Sequence, residues 1–263
     1  MPETVALIVP CHDEAARLAP AEFLALARSR PDLSLVFVDD GSTDGTAGVL
    51  EAIQRAAPDR IAVLRLPANV GKGEAVRQGM VSALSAGARA VGYLDADLST
   101  PAAEMVRVVD ALDESGAGAV LGSRVRLLGR AIERRPLRHY LGRAFATLAS
   151  MALRIPVYDT QCGAKVFRAG PALRAALSRP FRTRWIFDVE LLERLLAGGG
   201  GARGLSQGDF LEVPLREWRD VGGSKLRARA MIGAGFQLLA LVVRSRLRSR
   251  AAPERSSGPA RTG

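Results

Sequence analysis

Aromatic residues make up only 5% of the 263-residue chain, which also has just two cysteines, two histidines and three lysines. Each scarcity excludes something. Cys11 and Cys162 cannot build a disulfide framework, and neither lies in a zinc-type spacing, so a reducing compartment is expected. Few aromatics, and no helix-turn-helix, zinc-finger or RRM signature, argue against a nucleic-acid binder. No run reaches 18 apolar residues, so no transmembrane helix is expected. The chain enters a strand-like run at residues 4–9 without a basic leader or a cleavage site, so no signal peptide is expected. Together these readings make a cytoplasmic location the expectation.

What is present looks globular: 48% hydrophobic and 24% charged residues, enough to bury a sizeable core. The net charge is +10, from 37 Lys and Arg against 27 Asp and Glu. The excess is concentrated. Residues 216–263 carry eleven basic residues against three acidic, and residues 122–143 carry seven arginines against one glutamate. Two basic patches on a mildly acidic body point to an anionic partner, such as phosphate or an acidic membrane surface.

Residues 4–122 alternate short apolar runs with helical patterns. Strands are expected at 4–9, 35–38, 61–66, 90–94 and 118–122, with helices at 14–28, 43–57, 73–86 and 101–114. This is an α/β pattern: a mostly parallel sheet flanked by helices, with ligands beyond the carboxyl ends of the strands. After residue 122 the rhythm breaks. Helices at 136–153 and 187–197 and a strand at 209–215 are expected, with residues 159–168 read as a turn. Three segments result: a domain over 1–227, a basic helix over 228–250 with an apolar centre, and a disordered tail over 251–263. The apolar centre, residues 230–243, would extend about 21 Å as a helix, short of a roughly 30 Å hydrocarbon core. Arginines flank it on both sides, which suits a helix lying in an anionic membrane interface.

The polar residues at the strand ends carry the chemistry. PCHDE (10–14), DDGSTDGT (39–46) and DADLS (95–99) all arrive at one edge of the expected sheet. Two carboxylates in an Asp-x-Asp after a buried strand repel each other unless a cation neutralises them. Mg²⁺ or Mn²⁺ accepts one or two carboxylates and completes its shell with water and phosphate oxygens. Asp95 and Asp97 are therefore the candidate metal site; a solvated turn capping the next helix through Ser99 is the plainer alternative. Asp39 and Asp40 can accept from a base N–H or a ribose hydroxyl, or simply order their turn. NVGKGEA (69–75) lacks the P-loop spacing, so Lys72 either approaches a phosphate or flanks the turn.

PCHDE, DDGS, NVGKGEA and DADLS, in this order, resemble the family 2 glycosyltransferases of GT-A fold. LGSR (121–124), DTQCGAKVFR (159–168), WIFDVELLERL (185–195) and EVPLREWRDVGGSKL (212–226) are similar to the polyprenyl-phosphate sugar synthases, notably the dolichyl-phosphate β-glucosyltransferases and then the mannose synthases. The resemblance covers about residues 4–227. Thr100 stands where mannose synthases often have His, and neither an N-terminal anchor nor a multi-span membrane domain is read here.

The resemblance implies a GT-A (Rossmann-like) fold and a metal-dependent, inverting transfer of a hexose from a nucleotide sugar to a polyprenyl or dolichyl phosphate. UDP-glucose is favoured as donor, GDP-mannose next. It implies Pro10, Glu14, Asp39 and Asp40 as nucleotide contacts, and Asp95 and Asp97, with Ser99 helping, as the metal and sugar-diphosphate site. Arg124 and Lys225 would meet phosphates of donor or acceptor. A lipid monophosphate is largely dianionic at neutral pH, its second pKa being about 6, so it needs no general base. A hydroxyl acceptor on a glycan or small molecule is the alternative. It would need a carboxylate base, for which Asp188, then Glu190, are the candidates. Contact with the cytoplasmic face of a membrane is expected, and nucleic acid is not.

Overall fold

Nine strands and seven helices succeed one another along the described chain: β1 (Val5–Cys11), α1 (Pro20–Arg28), β2 (Leu33–Asp39), α2 (Thr46–Ala56), β3 (Ile61–Arg65), α3 (Lys72–Ser85), β4 (Ala90–Tyr93), α4 (Ala102–Ser115), β5 (Ala119–Ser123), β6 (Ala131–Ile132), α5 (Pro136–Leu153), β7 (Lys165–Arg168), α6 (Pro171–Leu177), α7 (Phe187–Ala197), β8 (Phe210–Pro214) and β9 (Glu217–Trp218). The computed structural model describes residues 4–132, 136–183 and 186–221, with backbone only for 136–141. The expected helix at 228–250, the tail at 251–263 and Lys225 lie outside the described residues.

Seven strands form one sheet in the order β3-β2-β1-β4-β7-β5-β8. All neighbours are parallel except β7, which runs antiparallel to both β4 and β5. This is the mostly parallel α/β sheet read from the sequence. Strands buried on both faces become near-continuous apolar runs, as in VALIVPC. Along β1 the alternation sorts the residues: Val5, Leu7 and Val9 face α1, α2 and α4, whereas Ala6 and Ile8 face the layer holding α3, α6 and α7.

Because β5 and β8 run parallel to β1, β2 and β4, their carboxyl ends share one edge with PCHDE, DDGS and DADLS. The antiparallel β7 starts at that edge, so the loop 159–164 is delivered there too. The small β6–β9 pair also joins it, because β9 follows β8.

Three differences from the sequence reading stand out, the first two with a physical reason. The first helix begins at Pro20, not at residue 14. Proline lacks the N–H and fits only the first helical turn, so residues 14–18 form a turn instead, with Arg17 N and Leu18 N donating to Glu14 O at 2.8 and 3.0 Å. Residues 165–168 are a central strand rather than part of a turn, because Lys165 is fully buried and internally paired. The seven residues of α6 lie in a stretch for which no helix was expected. Among the described residues no helix is long and apolar enough to cross a membrane.

Candidate active site

The first two loops of the edge are laced together by their own side chains. Asp13 N donates to Ser42 Oγ at 3.1 Å, Glu14 N to Thr46 Oγ1 at 2.8 Å, and Thr43 N to Asp13 Oδ1 at 2.8 Å. Pro10 is the last residue but one of β1, beside Val38, and Glu14 holds Arg17 through Nε at 2.7 Å. Asp39, the last residue of β2, accepts from Ser42 N at 2.9 Å. Asp40 is buried and reaches the next loop instead, its two oxygens accepting from Val70 N (2.7 Å) and Gly71 N (2.9 Å). Asp40 thereby fixes the start of α3 and the position of Lys72. Gly41 permits this closeness. Its φ is +63°, and a Cβ there would fall 2.7 Å from Ala68 C.

Lys72 in turn reaches the acidic pair. Its Nζ lies 2.6 Å from Asp95 Oδ1. Partial desolvation disfavours the ammonium, but Asp95, Asp188 and Asp97 outweigh it and raise the Lys72 pKa. The reciprocal holds for Asp95: burial opposes its charge, but Lys72, Arg124 and Lys165 hold it below the usual carboxylate range. Gly163 brings the opposite wall equally close, since a Cβ there would sit 2.5 Å from Asp95 Oδ2. Asp97 Oδ1 accepts from Ser99 N (3.0 Å) and Ser99 Oγ (2.8 Å), so Ser99 orients Asp97. Two of the three non-glycine residues with positive φ among the described residues, Asp13 (50°) and Leu98 (49°), lie in these loops. Strained backbone of this kind clusters at functional sites.

The donor set fits a hard divalent cation. Two carboxylates are offered at the mouth of the cleft, and a lysine ammonium already sits against one of them. No group of three or more candidate ligands exists among the described residues, so a bound ion would rely on diphosphate and water for the rest of its shell.

Across the sheet, Arg124 follows β5. Its Nε and Nη2 contact the two oxygens of Asp159 at 2.6 and 2.8 Å, a bidentate pair, and its guanidinium lies 5.3 Å from the Trp218 ring centroid. Asp159 is held by Glu212, whose carboxylate accepts from the amides of Tyr158 (2.8 Å) and Asp159 (2.7 Å). Burial pushes the Glu212 pKa up, although these two amides oppose it. Arg219 N donates to Ser99 O at 2.9 Å, so the chain after β9 crosses the acidic loop.

Asp188 lies in the first turn of α7, and one of its carboxylate oxygens is engaged. Its Oδ1 accepts from Lys165 Nζ at 2.9 Å and from the Tyr93 hydroxyl. Glu190 accepts from the amides of Arg182 and Thr183, from Thr183 Oγ1 at 2.8 Å and from Arg194 Nη2 at 2.7 Å. Asp39, Asp40, Lys72, Asp95, Asp97, Ser99 and Arg124 are thus gathered on one edge, and Pro10 and Glu14 border it. Sequence reasoning missed Gly163, Tyr93, Lys165 and Glu212. Of these only Lys165 left a signal: lysine is rare in this chain, and each one falls inside a motif.

The glycosyl transferase family 2 model matches residues 6–173. A dolichyl-phosphate β-glucosyltransferase of Trichomonas vaginalis is 31% identical over 249 residues, covering 90% of this chain and 70% of that protein. A polyprenol monophosphomannose synthase of Mycolicibacterium smegmatis is 27% identical, covering 92% of this chain and 88% of that one. Among solved structures, glucosyl-3-phosphoglycerate synthase of Mycobacterium tuberculosis in complex with UDP superposes with a TM-score of 0.65 at 17% identity, covering 97% of this chain and 82% of that chain. The same enzyme with Mn²⁺ and UDP-glucose gives 0.64 at 19% identity, covering 93% and 79%. The fold, the ordered motifs and the matched relatives agree: this chain is a glycosyltransferase and belongs to glycosyltransferase family 2.

Proposed function

We propose that the protein transfers a hexose, with glucose from UDP-glucose favoured over mannose from GDP-mannose, to a polyprenyl or dolichyl phosphate at a membrane surface, inverting the anomeric centre. The observation that carries this reading is the anchored cation beside the acidic pair. Arg124 follows β5 on the sheet edge that also carries Asp95 and Asp97, and Asp159 braces its guanidinium there. An anionic acceptor meets a fixed positive charge there as it approaches the donor diphosphate. The donor would lie against the DDGS loop, with Asp39 and Asp40 beneath it. Asp95 and Asp97 would hold Mg²⁺ or Mn²⁺, which when bound neutralises the leaving diphosphate. Lys225 is proposed as a further phosphate contact.

The relatives named above, which include a dolichyl-phosphate glucosyltransferase and a polyprenol monophosphomannose synthase, support the lipid-phosphate acceptor. The hydroxyl-acceptor alternative is supported less well, because Asp188 and Glu190 both have hydrogen-bond donors on their carboxylates. The test is a transfer assay with the full chain, MnCl₂ or MgCl₂, polyprenyl phosphate in detergent, and labelled UDP-glucose and GDP-mannose in parallel. A metal-dependent labelled lipid that releases sugar in mild acid is expected. Sugar transferred only to hydroxyl acceptors would overturn the reading.

Arg124→Lys keeps the charge but loses the bidentate fit. The KM for lipid phosphate is expected to rise about tenfold, with the donor KM within twofold of wild type. An equal rise in both would remove Arg124 from the acceptor side.

The peripheral-membrane part of the proposal is supported by the β5–β6 loop. Leu127 and Leu128 are 48% and 104% exposed, and Arg126 and Arg130 flank them. Exposed leucines between arginines suit an anionic lipid interface, on the cytoplasmic face in this proposal. Leu127→Ser/Leu128→Ser is expected to weaken binding to phosphatidylglycerol-containing vesicles about tenfold, since each leucine removed from water contributes up to about 1.5–3 kcal/mol. Turnover on detergent-solubilised lipid should persist. Unchanged vesicle flotation would take this loop out of the membrane contact.

A further inference from the structure

On β8, Leu211 and Val213 pack with the layer of α1, α2 and α4, whereas Phe210 packs with the opposite layer. Alternation puts Glu212 on the face of Phe210, the face that α5 also covers. A half-buried carboxylate there needs donors. It finds them in two consecutive backbone amides, Tyr158 N at 2.8 Å and Asp159 N at 2.7 Å, one on each oxygen. One side chain thus fixes a single dipeptide that lies 53 and 54 residues away in sequence.

The same dipeptide holds two arginines. Asp159 grips the Arg124 fork through Nε and Nη2, and its Oδ2 also accepts from the Arg124 amide at 3.2 Å. Backbone and guanidinium of Arg124 are therefore set by one carboxylate. From the other side, Arg143 of α5 donates to Tyr158 O at 2.9 Å, and its guanidinium carbon lies 3.5 Å from the centre of the Tyr158 ring. A bidentate pair orients a guanidinium only as well as its carboxylate is itself held. Asp159 sits in a loop, and Glu212 is what ties that loop to the sheet. Arg143 keeps a second hold on it, so loss of the Glu212 carboxylate shifts the loop without releasing it.

We propose that Glu212 is a positioning residue for the transfer reaction: it fixes the Tyr158–Asp159 step and, through Asp159, the direction in which Arg124 points its fork. Glu212 itself touches no reacting group. The inference deepens the proposed function and rests on it for which substrate Arg124 meets.

The test is a double-mutant cycle over wild type, Glu212→Gln, Arg124→Lys and the double variant. KM for polyprenyl phosphate, KM for UDP-glucose, kcat and thermal melting are measured on each. A glutamine offers one oxygen and an NH₂ group, so one loop amide loses its acceptor and faces a donor. Glu212→Gln is expected to raise the lipid-phosphate KM about tenfold, the scale of one donor left unsatisfied, with the UDP-glucose KM within about twofold of wild type. The double variant should be no more than about twofold worse than Arg124→Lys alone, because the brace then has nothing left to aim. Independent roles would multiply instead, to about a hundredfold, and that outcome overturns the proposal. So does a Glu212→Gln enzyme whose melting temperature falls while both KM values stay at wild type, the result of a purely structural brace. Should Glu212→Gln fail to fold, Glu212→Asp enters the same cycle with the same outcomes; it keeps the charge and both oxygens, one methylene further back.

Wild-type enzyme forming no glycolipid would sink the lipid reading alone. A second measurement needs no lipid: the rate at which phenylglyoxal modifies Arg124, followed by peptide mass spectrometry. Arg30, which precedes β2 at the opposite edge of the sheet, is the internal control. Arg124 should react severalfold faster in Glu212→Gln than in wild type, with Arg30 unchanged. Equal Arg124 rates, or a rise at both arginines, would overturn the role of Glu212.

Discussion

Asp97→Ala lowers the rate of sugar transfer by about 10³-fold while leaving the protein folded. The size follows from what Asp97 would supply: half of the carboxylate pair that holds a cation against the departing diphosphate, a contribution of several kcal/mol, with each 1.36 kcal/mol worth about a factor of ten. The cost to the fold is smaller. Asp97 accepts two hydrogen bonds, both from Ser99. At about 1 kcal/mol each, their loss lowers the melting temperature by only a few degrees in a domain of this size. Asp97→Asn separates the two contributions, because an amide oxygen can still accept from Ser99 but carries no charge. Transfer should fall nearly as far as in Asp97→Ala, with the melting temperature close to wild type. Retention of more than a tenth of the activity in Asp97→Asn, assayed at saturating Mn²⁺, would mean that the loop geometry matters and the charge does not.

A second large effect is expected where no polar group is touched. Gly163→Ala should reduce kcat by about a hundredfold without lowering stability. The new Cβ would lie 2.5 Å from Asp95 Oδ2 and 2.6 Å from Asp95 Cγ, closer than any real contact. The carboxylate must rotate away, and its 2.6 Å contact with Lys72 must be lost or remade. A misplacement of about 1 Å at a reacting centre is worth roughly 10² in rate. Gly163 is not among the glycines with positive φ, so alanine brings no backbone strain there and restricts the unfolded chain slightly. Thermal melting and steady-state kinetics on the same preparation check both halves. Activity within twofold of wild type would show that Asp95 has room the structure denies it.

The legible part of this molecule was the part that repeats. Runs such as VALIVPC and LSLVFVD, each followed by an acidic turn, revealed the strands, their shared edge and the carboxylates on it. The acidic pair was readable because Asp95 and Asp97 lie two apart behind an apolar strand. What stayed hidden depends on contacts between distant segments. Lys165 looks like a turn residue, because a charged side chain is rarely found in a sheet centre. Only the buried oxygens of Asp188 and Tyr93, both remote in sequence, together with the nearby Cys162 carbonyl, make it a strand residue. Glu212 and Asp159 likewise acquire their roles from each other across 53 residues. Asp40 read equally well as a ribose contact or a turn former, and its bonds to Val70 and Gly71 make it the brace of a neighbouring loop. Gly163 gave no signal, because a glycine in a loop does not announce what approaches it.

The placement of β7 also fixes an order of assembly during synthesis. β1, β2, β3 and β4 pair with one another directly, so that half of the sheet can close once residue 93 has emerged. β5 has no such neighbour. The slot between it and β4 stays open until residues 165–168 arrive and run back through it. Such distant pairing has to bear the entropy of closing a long loop before any contact rewards it, which makes it the slow step. The same arrival brings Gly163 against Asp95 and Asp159 onto Arg124, whereas Lys165 meets Asp188 only once α7 has followed. A nascent chain can therefore shape the loops after β1, β2 and β4 early. The opposite wall, with Gly163 and Asp159, comes into existence only when β7 closes the sheet.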